Sequence, residues 1–191
     1  MAMRKLHSML LLSLAATMAV STSAAPRPDA PDKATPAKPR PKFDPPGVIC
    51  QGDPAISRIN LIKGAAPGSV TVTVETRNQG TGAWRSRAGQ QVLAVMVRNG
   101  NTGAVSRHSW PLHARAEAGT SMGTYGTPLI RDAFDTFEFR GTVEAKISYD
   151  PDILIDGNSC NDDRNMANNV RRVSDSEVGR FLAGDAARMQ F

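Results

Sequence analysis

The residues able to do chemistry concentrate between positions 150 and 163. Asp150, Asp152, Asp156, Asn158, Asp162 and Asp163 offer hard oxygens of the kind calcium takes. Asp152, Asp156, Gly157 and Asp163 even fall at positions 1, 5, 6 and 12 of an EF-hand-like numbering. Leu154 then stands at position 3, where an oxygen belongs, and position 12 is Asp rather than the bidentate Glu. The EF-hand pattern therefore fails. A looser calcium site on Asp150, Asp152, Asp156, Asp162 and Asp163 stays open beside the plainer reading, an acidic surface loop.

Nucleophilic and acid–base chemistry has less to work with. Beyond the leader the only histidines are His108 and His113. On an extended strand His108 and Trp110 share a face while Ser109 points away, so Ser109 and His108 make no nucleophile–base pair. No G-x-S-x-G, H-E-x-x-H or phosphate-binding glycine loop is present. No catalytic residue is expected, and the chain does not read as an enzyme. The two cysteines, Cys50 and Cys160, are too far apart for a C-x-x-C redox pair. In an oxidising compartment an even pair reads as a disulfide. Trp84, just after a glycine-rich turn, and Trp110 are candidate binding rings, with packing at the rim of a core as the other reading.

The compartment is written at the N-terminus. Arg4 and Lys5 precede an apolar run from Met9 to Val20, and small residues follow up to Pro26. This is the pattern of a secretory signal peptide, residues 1–24, with cleavage after Ala24. The apolar run is about a dozen residues, short of the ~20 that span a bilayer. Residues 25–47 form a Pro-rich linker that cannot bury enough apolar surface to offset its ordering entropy. The chain carries a net charge of +5. The leader holds +2 of this and the linker another +2, from five basic against three acidic residues. Residues 48–191 keep 16 basic against 15 acidic, with arginines scattered along the sequence, which argues against nucleic acid as a partner.

The elements that position these residues are strands. Val70, Val72 and Val74 alternate with Thr71, Thr73 and Glu75, the pattern of a half-buried strand. It ends at Asn78, Gly80 and Gly82, residues suited to left-handed backbone and to bracing a turn. Strands are also expected over 48–51, 56–62, 90–98, 105–113, 142–149 and 170–173. The run over 90–98 is apolar enough to be central or covered on both faces. N-G-N-T-G at 99–103 marks a hairpin, and Pro111 marks an edge strand able to accept a partner strand. Asn168 and Asn169 can brace the entry to the last strand as Asn78 does its own turn, or contact a ligand. Ser174 and Glu177 have capping-box spacing, so residues 174–191 form a C-terminal tail or short helix. About seven short strands predict an all-β fold, an immunoglobulin-like antiparallel β-sandwich.

With these residues laid out, the stretch 69–173 resembles the CARDB family, bacterial immunoglobulin-like modules associated with cell adhesion. The resemblance rests on three features. One is the valine-alternating strand running into R-N-Q-G-T-G at 77–82; the second is A-G-T-S at 118–121. The third is the alternating strand ending at Tyr149 and Asp150, followed by a polar loop and Asn168-Asn169. The loop D-G-N-S-C-N-D-D-R-N-M-A-N-N departs from the short acidic run of the family, so no role is carried over for it. The resemblance implies a sandwich over 48–173 and an extracellular interaction role, with no catalytic residues. The expected protein is exported, periplasmic or extracellular, monomeric, and without a membrane span once the leader is cleaved. It binds a protein or an envelope polysaccharide through loops or a sheet edge. The alternative is a calcium-stabilised structural module built on the acidic loop.

Overall fold

The computed structural model describes residues 50–148, 158–163 and 165–191. The valine alternation forms β2 (Val70–Asn78), with Val70, Val72 and Val74 buried and the intervening residues partly exposed. It pairs antiparallel with β1 (Pro54–Lys63) on one side and β7 (Ser121–Gly126) on the other. A second sheet holds β4 (Val92–Asn99), β5 (Val105–Pro111), β8 (Gly141–Ile147) and β9 (Val170–Val173), in the order β5-β4-β8-β9. Between the sheets Ile59, Leu61 and the three valines meet Leu93, Val95, Val97, Val143, Ala145 and Ile147, all buried. Burying such side chains contributes about 1.5–3 kcal/mol each, so this layer dominates the stability of the fold. The architecture is the expected all-β sandwich.

The described residues carry ten strands rather than seven. A two-residue pair, β3 (Trp84–Arg85) with β6 (Arg115–Ala116), lies outside the two main sheets. Two more strands fall outside the seven expected, β7 and β10 (Arg188–Gln190); β10 joins the free edge of β1 and gives the order β10-β1-β2-β7. A strand over 48–51 is corrected as far as residues 50 and 51 go: they are not in a strand, and the first strand begins at Pro54. The apolar run over 90–98 is central, flanked by β5 and β8. It is covered on one face only, for Val92, Ala94 and Met96 sit half-buried on the outer side.

The hairpin at 99–103 forms between β4 and β5. Asn99 Oδ1 accepts from the amides of Asn101 and Thr102 at 3.0 and 2.9 Å, and Gly103 takes φ 71°. The capping box at Ser174 is complete and opens α1 (Asp175–Ala183), whose Val178 and Phe181 are buried. Lys63 Nζ donates to the Leu182 carbonyl at 3.2 Å and to that of Gly184, holding the helix C-terminus, with the Phe181 ring 5.4 Å away. Residues 174–191 are thus a helix followed by an edge strand, with Met189 and Phe191 packed on the core.

Candidate functional site

The loops gather at the two ends of the sandwich. One end holds the Cys50–Cys160 disulfide, whose Cα atoms are 4.5 Å apart. It stitches the approach to β1 onto the segment that leads into β9. Asn78 organises this end. Its Oδ1 accepts from the amides of Asp53 at 2.9 Å and Gly80 at 3.0 Å. Its Nδ2 donates to the carbonyls of Gly82, Ala116 and Glu117 at 2.9, 3.1 and 3.2 Å. Asn78, Gly80 and Gly82 are residues that tolerate left-handed backbone, with the Asn78 side chain able to satisfy nearby amides, and it is the side chain that acts. None of them has positive φ, because the bracing is done by the side chain. Gly80 is needed for space, since a Cβ there would overlap the Gln51 carbonyl oxygen.

The asparagines before β9 do related work through carboxylates. Both oxygens of Asp53 accept from Asn168 Nδ2, at 3.0 and 2.9 Å. Asp163 Oδ2 accepts from Asn169 Nδ2 at 2.6 Å, and Oδ1 from the Asn165 amide at 3.0 Å. Burial pushes the Asp163 carboxyl above the usual range; the bonds from Asn169 and Asn165 oppose this, and the charge on Asp53 adds to it. Asp162 is buried beside it and lines a cavity of about 200 Å³ with Cys50, Gln51, Gly52, Asp53 and Asn165. Among the described residues no three His, Cys, Asp or Glu groups converge as a metal site. Asp150, Asp152 and Asp156, the remaining expected calcium ligands, lie outside the described residues.

The expected binding tryptophans are largely spent inside the molecule. Trp84 is 0% exposed, its backbone and ring covered by Gly52, which leaves it no surface for a partner and corrects the loop-contact reading. Trp110 is partly buried on β5, an edge strand. Its ring is stacked 6.2 Å from His108 and tilted against Tyr125, 6.0 Å away on β7. These contacts close the side of the sandwich where β5 and β7 are the edges. His108 faces inward and Ser109 outward, so the two do not meet.

The opposite end presents the apolar surface that the tryptophans do not. In the loop 127–140, Phe137 is 83% exposed and Phe139 57%, with Leu129 at 50%. The loop is braced, not loose. Asp135 Oδ2 accepts from the amides of Phe137 and Glu138 at 3.2 and 3.0 Å, and Asn99 Nδ2 donates to the Asp132 carbonyl at 2.9 Å. Phe134 plugs into the core, and its amide donates to the Gly68 carbonyl at 3.0 Å. Beside the loop a groove of about 450 Å³ runs along residues 63–69 to Thr136, Arg140, Leu182 and Ala183. Sequence reasoning registered the aromatic concentration at 134–139 but not its exposure. The available signal was the setting of Phe137 and Phe139 among Asp135, Glu138 and Arg140, a polar context unlike that of a core strand.

Comparison of the chain with protein-family models, with curated proteins and with solved structures finds no match.

Proposed function

We propose that this protein is an exported, non-catalytic binding module of the CARDB-like adhesion kind, whose contact surface is the loop end bearing Phe137, Phe139 and Leu129. The observation that carries the reading is a braced loop holding two phenylalanine rings in solvent beside a groove. An apolar ring kept out of the core by ordered backbone is an anchor for another surface. The partner is a protein or an envelope polysaccharide. The disulfide agrees with an oxidising compartment, and among the described residues no helix is long and apolar enough to cross a membrane.

The test is a pull-down from envelope extract with the mature chain and with F137A/F139A. Both rings are exposed, so the variant keeps the melting temperature of the wild type. Capture lost in the variant supports the reading; identical capture sinks it.

A calcium-stabilised module is the second reading, favoured by the buried Asp163 with Asp53 close enough to perturb it. It ranks behind because N–H donors already occupy the oxygens of both carboxylates, the Asn168 side chain on Asp53 and the Asn169 side chain and Asn165 backbone amide on Asp163, and calcium would have to displace them. A rise in melting temperature with calcium, reversed by chelator, is its signature.

A further inference from the structure

Strand pairing collects cations that the sequence scatters. On the outer face of the β5-β4-β8-β9 sheet, Arg107 stands opposite Met96, Met96 opposite Glu144, and Glu144 opposite Arg172. In neighbouring rows Arg98 lies between Val105 and Thr142, and Lys146 lies opposite Ala94. The face therefore presents four basic side chains, Arg98, Arg107, Lys146 and Arg172, against the single carboxylate of Glu144. Glu144 is taken by Arg172 at 2.6 Å. Among the described residues Arg98, Arg107 and Lys146 have no hydrogen-bond or ion-pair partner.

The other sheet makes the contrast. Its outer face also carries arginines, but Arg58 is paired with Glu75 at 3.3 Å and Arg77 donates to the Gly119 carbonyl at 2.7 Å. Only on the β5-β4-β8-β9 face do adjacent cations keep all their donors. Arg98 and Arg107 are diagonal neighbours across β4 and β5, a spacing of about 7–8 Å at the backbone. Between them lies an open cavity of about 250 Å³ lined by Met96, Arg98, Val105, Arg107, Thr142 and Glu144.

We infer that this face binds an acidic polysaccharide, with its carboxylate or sulfate groups on Arg98 and Arg107 and a sugar ring over Met96. Three features select that chemistry. The unpaired guanidinium groups suit oxyanions, which they bind in a bidentate fork. Thr142 and Glu144 in the same cavity offer partners to a ligand that also carries hydroxyl groups. The strands of this face carry no outward aromatic side chain on which a base could stack. The inference deepens the binding reading by naming a ligand class, and it does not use the aromatic loop end.

The test measures binding of the mature chain to polygalacturonate and heparin, with neutral dextran, duplex DNA and anionic lipid vesicles alongside. Wild type binds the two acidic polysaccharides and not dextran, and binding weakens as salt rises. R98E/R107E lowers the affinity roughly tenfold or more with an unchanged melting temperature. R77E/R188E, an equal change of net charge on the opposite sheet, stays within about twofold. Absence of polysaccharide binding overturns the inference, as does tighter binding to DNA or vesicles. Equal binding by R98E/R107E also overturns it and moves the interaction to the basic linker. If F137A/F139A loses envelope capture but keeps heparin, the loop end and the sheet face are separate sites; the reverse pattern in R98E/R107E makes the same separation.

Discussion

Asn78→Asp replaces one NH₂ group by oxygen and tests the central brace of the disulfide end. The new carboxylate can still accept from the amides of Asp53 and Gly80, at 2.9 and 3.0 Å in the native protein. Its other oxygen then stands where Nδ2 was, within 2.9–3.2 Å of the carbonyls of Gly82, Ala116 and Glu117. Two N–H donors disappear and are replaced by a negative charge facing three carbonyl dipoles. Each of the two donor bonds is worth about 1 kcal/mol net, and the stranded carbonyls and misplaced charge add about 1 kcal/mol more, so the loss at neutral pH is about 3 kcal/mol. The introduced carboxyl has a folded pKa above its unfolded value. Its form of the protein is therefore most stable below the unfolded pKa and weakens as pH rises through the folded one. Protonated, it returns one donor, and roughly half of the loss is recovered near pH 4. Urea unfolding followed by the fluorescence of buried Trp84 reads both numbers. An Asn78→Asp protein within about 0.5 kcal/mol of wild type at neutral pH would falsify the claim that this side chain holds the turn.

The other predictions concern the staple, the helix and the pH profile. C50S/C160S releases a loop with a sequence separation of 110 residues. The chain-entropy estimate is a loss of about 4.8 kcal/mol, seen as a lower urea midpoint; a loss under about 1 kcal/mol would refute it. Ser174→Ala removes the cap of α1 and costs about 1 kcal/mol, measurable by thermal denaturation. Asp163, its pKa raised chiefly by burial, contributes most below the unfolded carboxyl pKa, and that contribution is lost as pH rises through the folded value. Glu177, its pKa lowered first by the Ser174 amide, does the opposite: its contribution is present above the unfolded pKa and lost as pH falls through the folded one. Melting temperature against pH should change slope in opposite senses for D163N and E177Q.

What the sequence made legible was whatever local patterning decides. The Val70, Val72 and Val74 alternation, the 99–103 hairpin and the Ser174–Glu177 cap are complete within a few residues, and each forms as read. Asn78 was legible as a turn residue, but its partners come from residues 53, 116 and 117, which only the folded chain brings to it. Trp84 carried a misleading local signal: the glycines before it read as a surface loop, while distant Gly52 covers the ring. The strand at Arg188–Gln190 has no strand pattern of its own and exists because β1 offers a free edge. The cationic face was invisible for the same reason. Arg98, Arg107, Lys146 and Arg172 are separated in sequence and become neighbours through strand register alone.

The disulfide also bears on how the domain carries load. Under the binding role proposed above, a pull through the residues before Cys50 would put the domain under tension. The pull arrives at Cys50, and Cys160 lets a covalent bond share it with the segment leading into β9. Without that bond the whole force would fall on β1 and be resisted by hydrogen bonds failing in sequence from Pro54. With it, the force enters through both sheets at once, and the sandwich yields as a body instead of unzipping from one end.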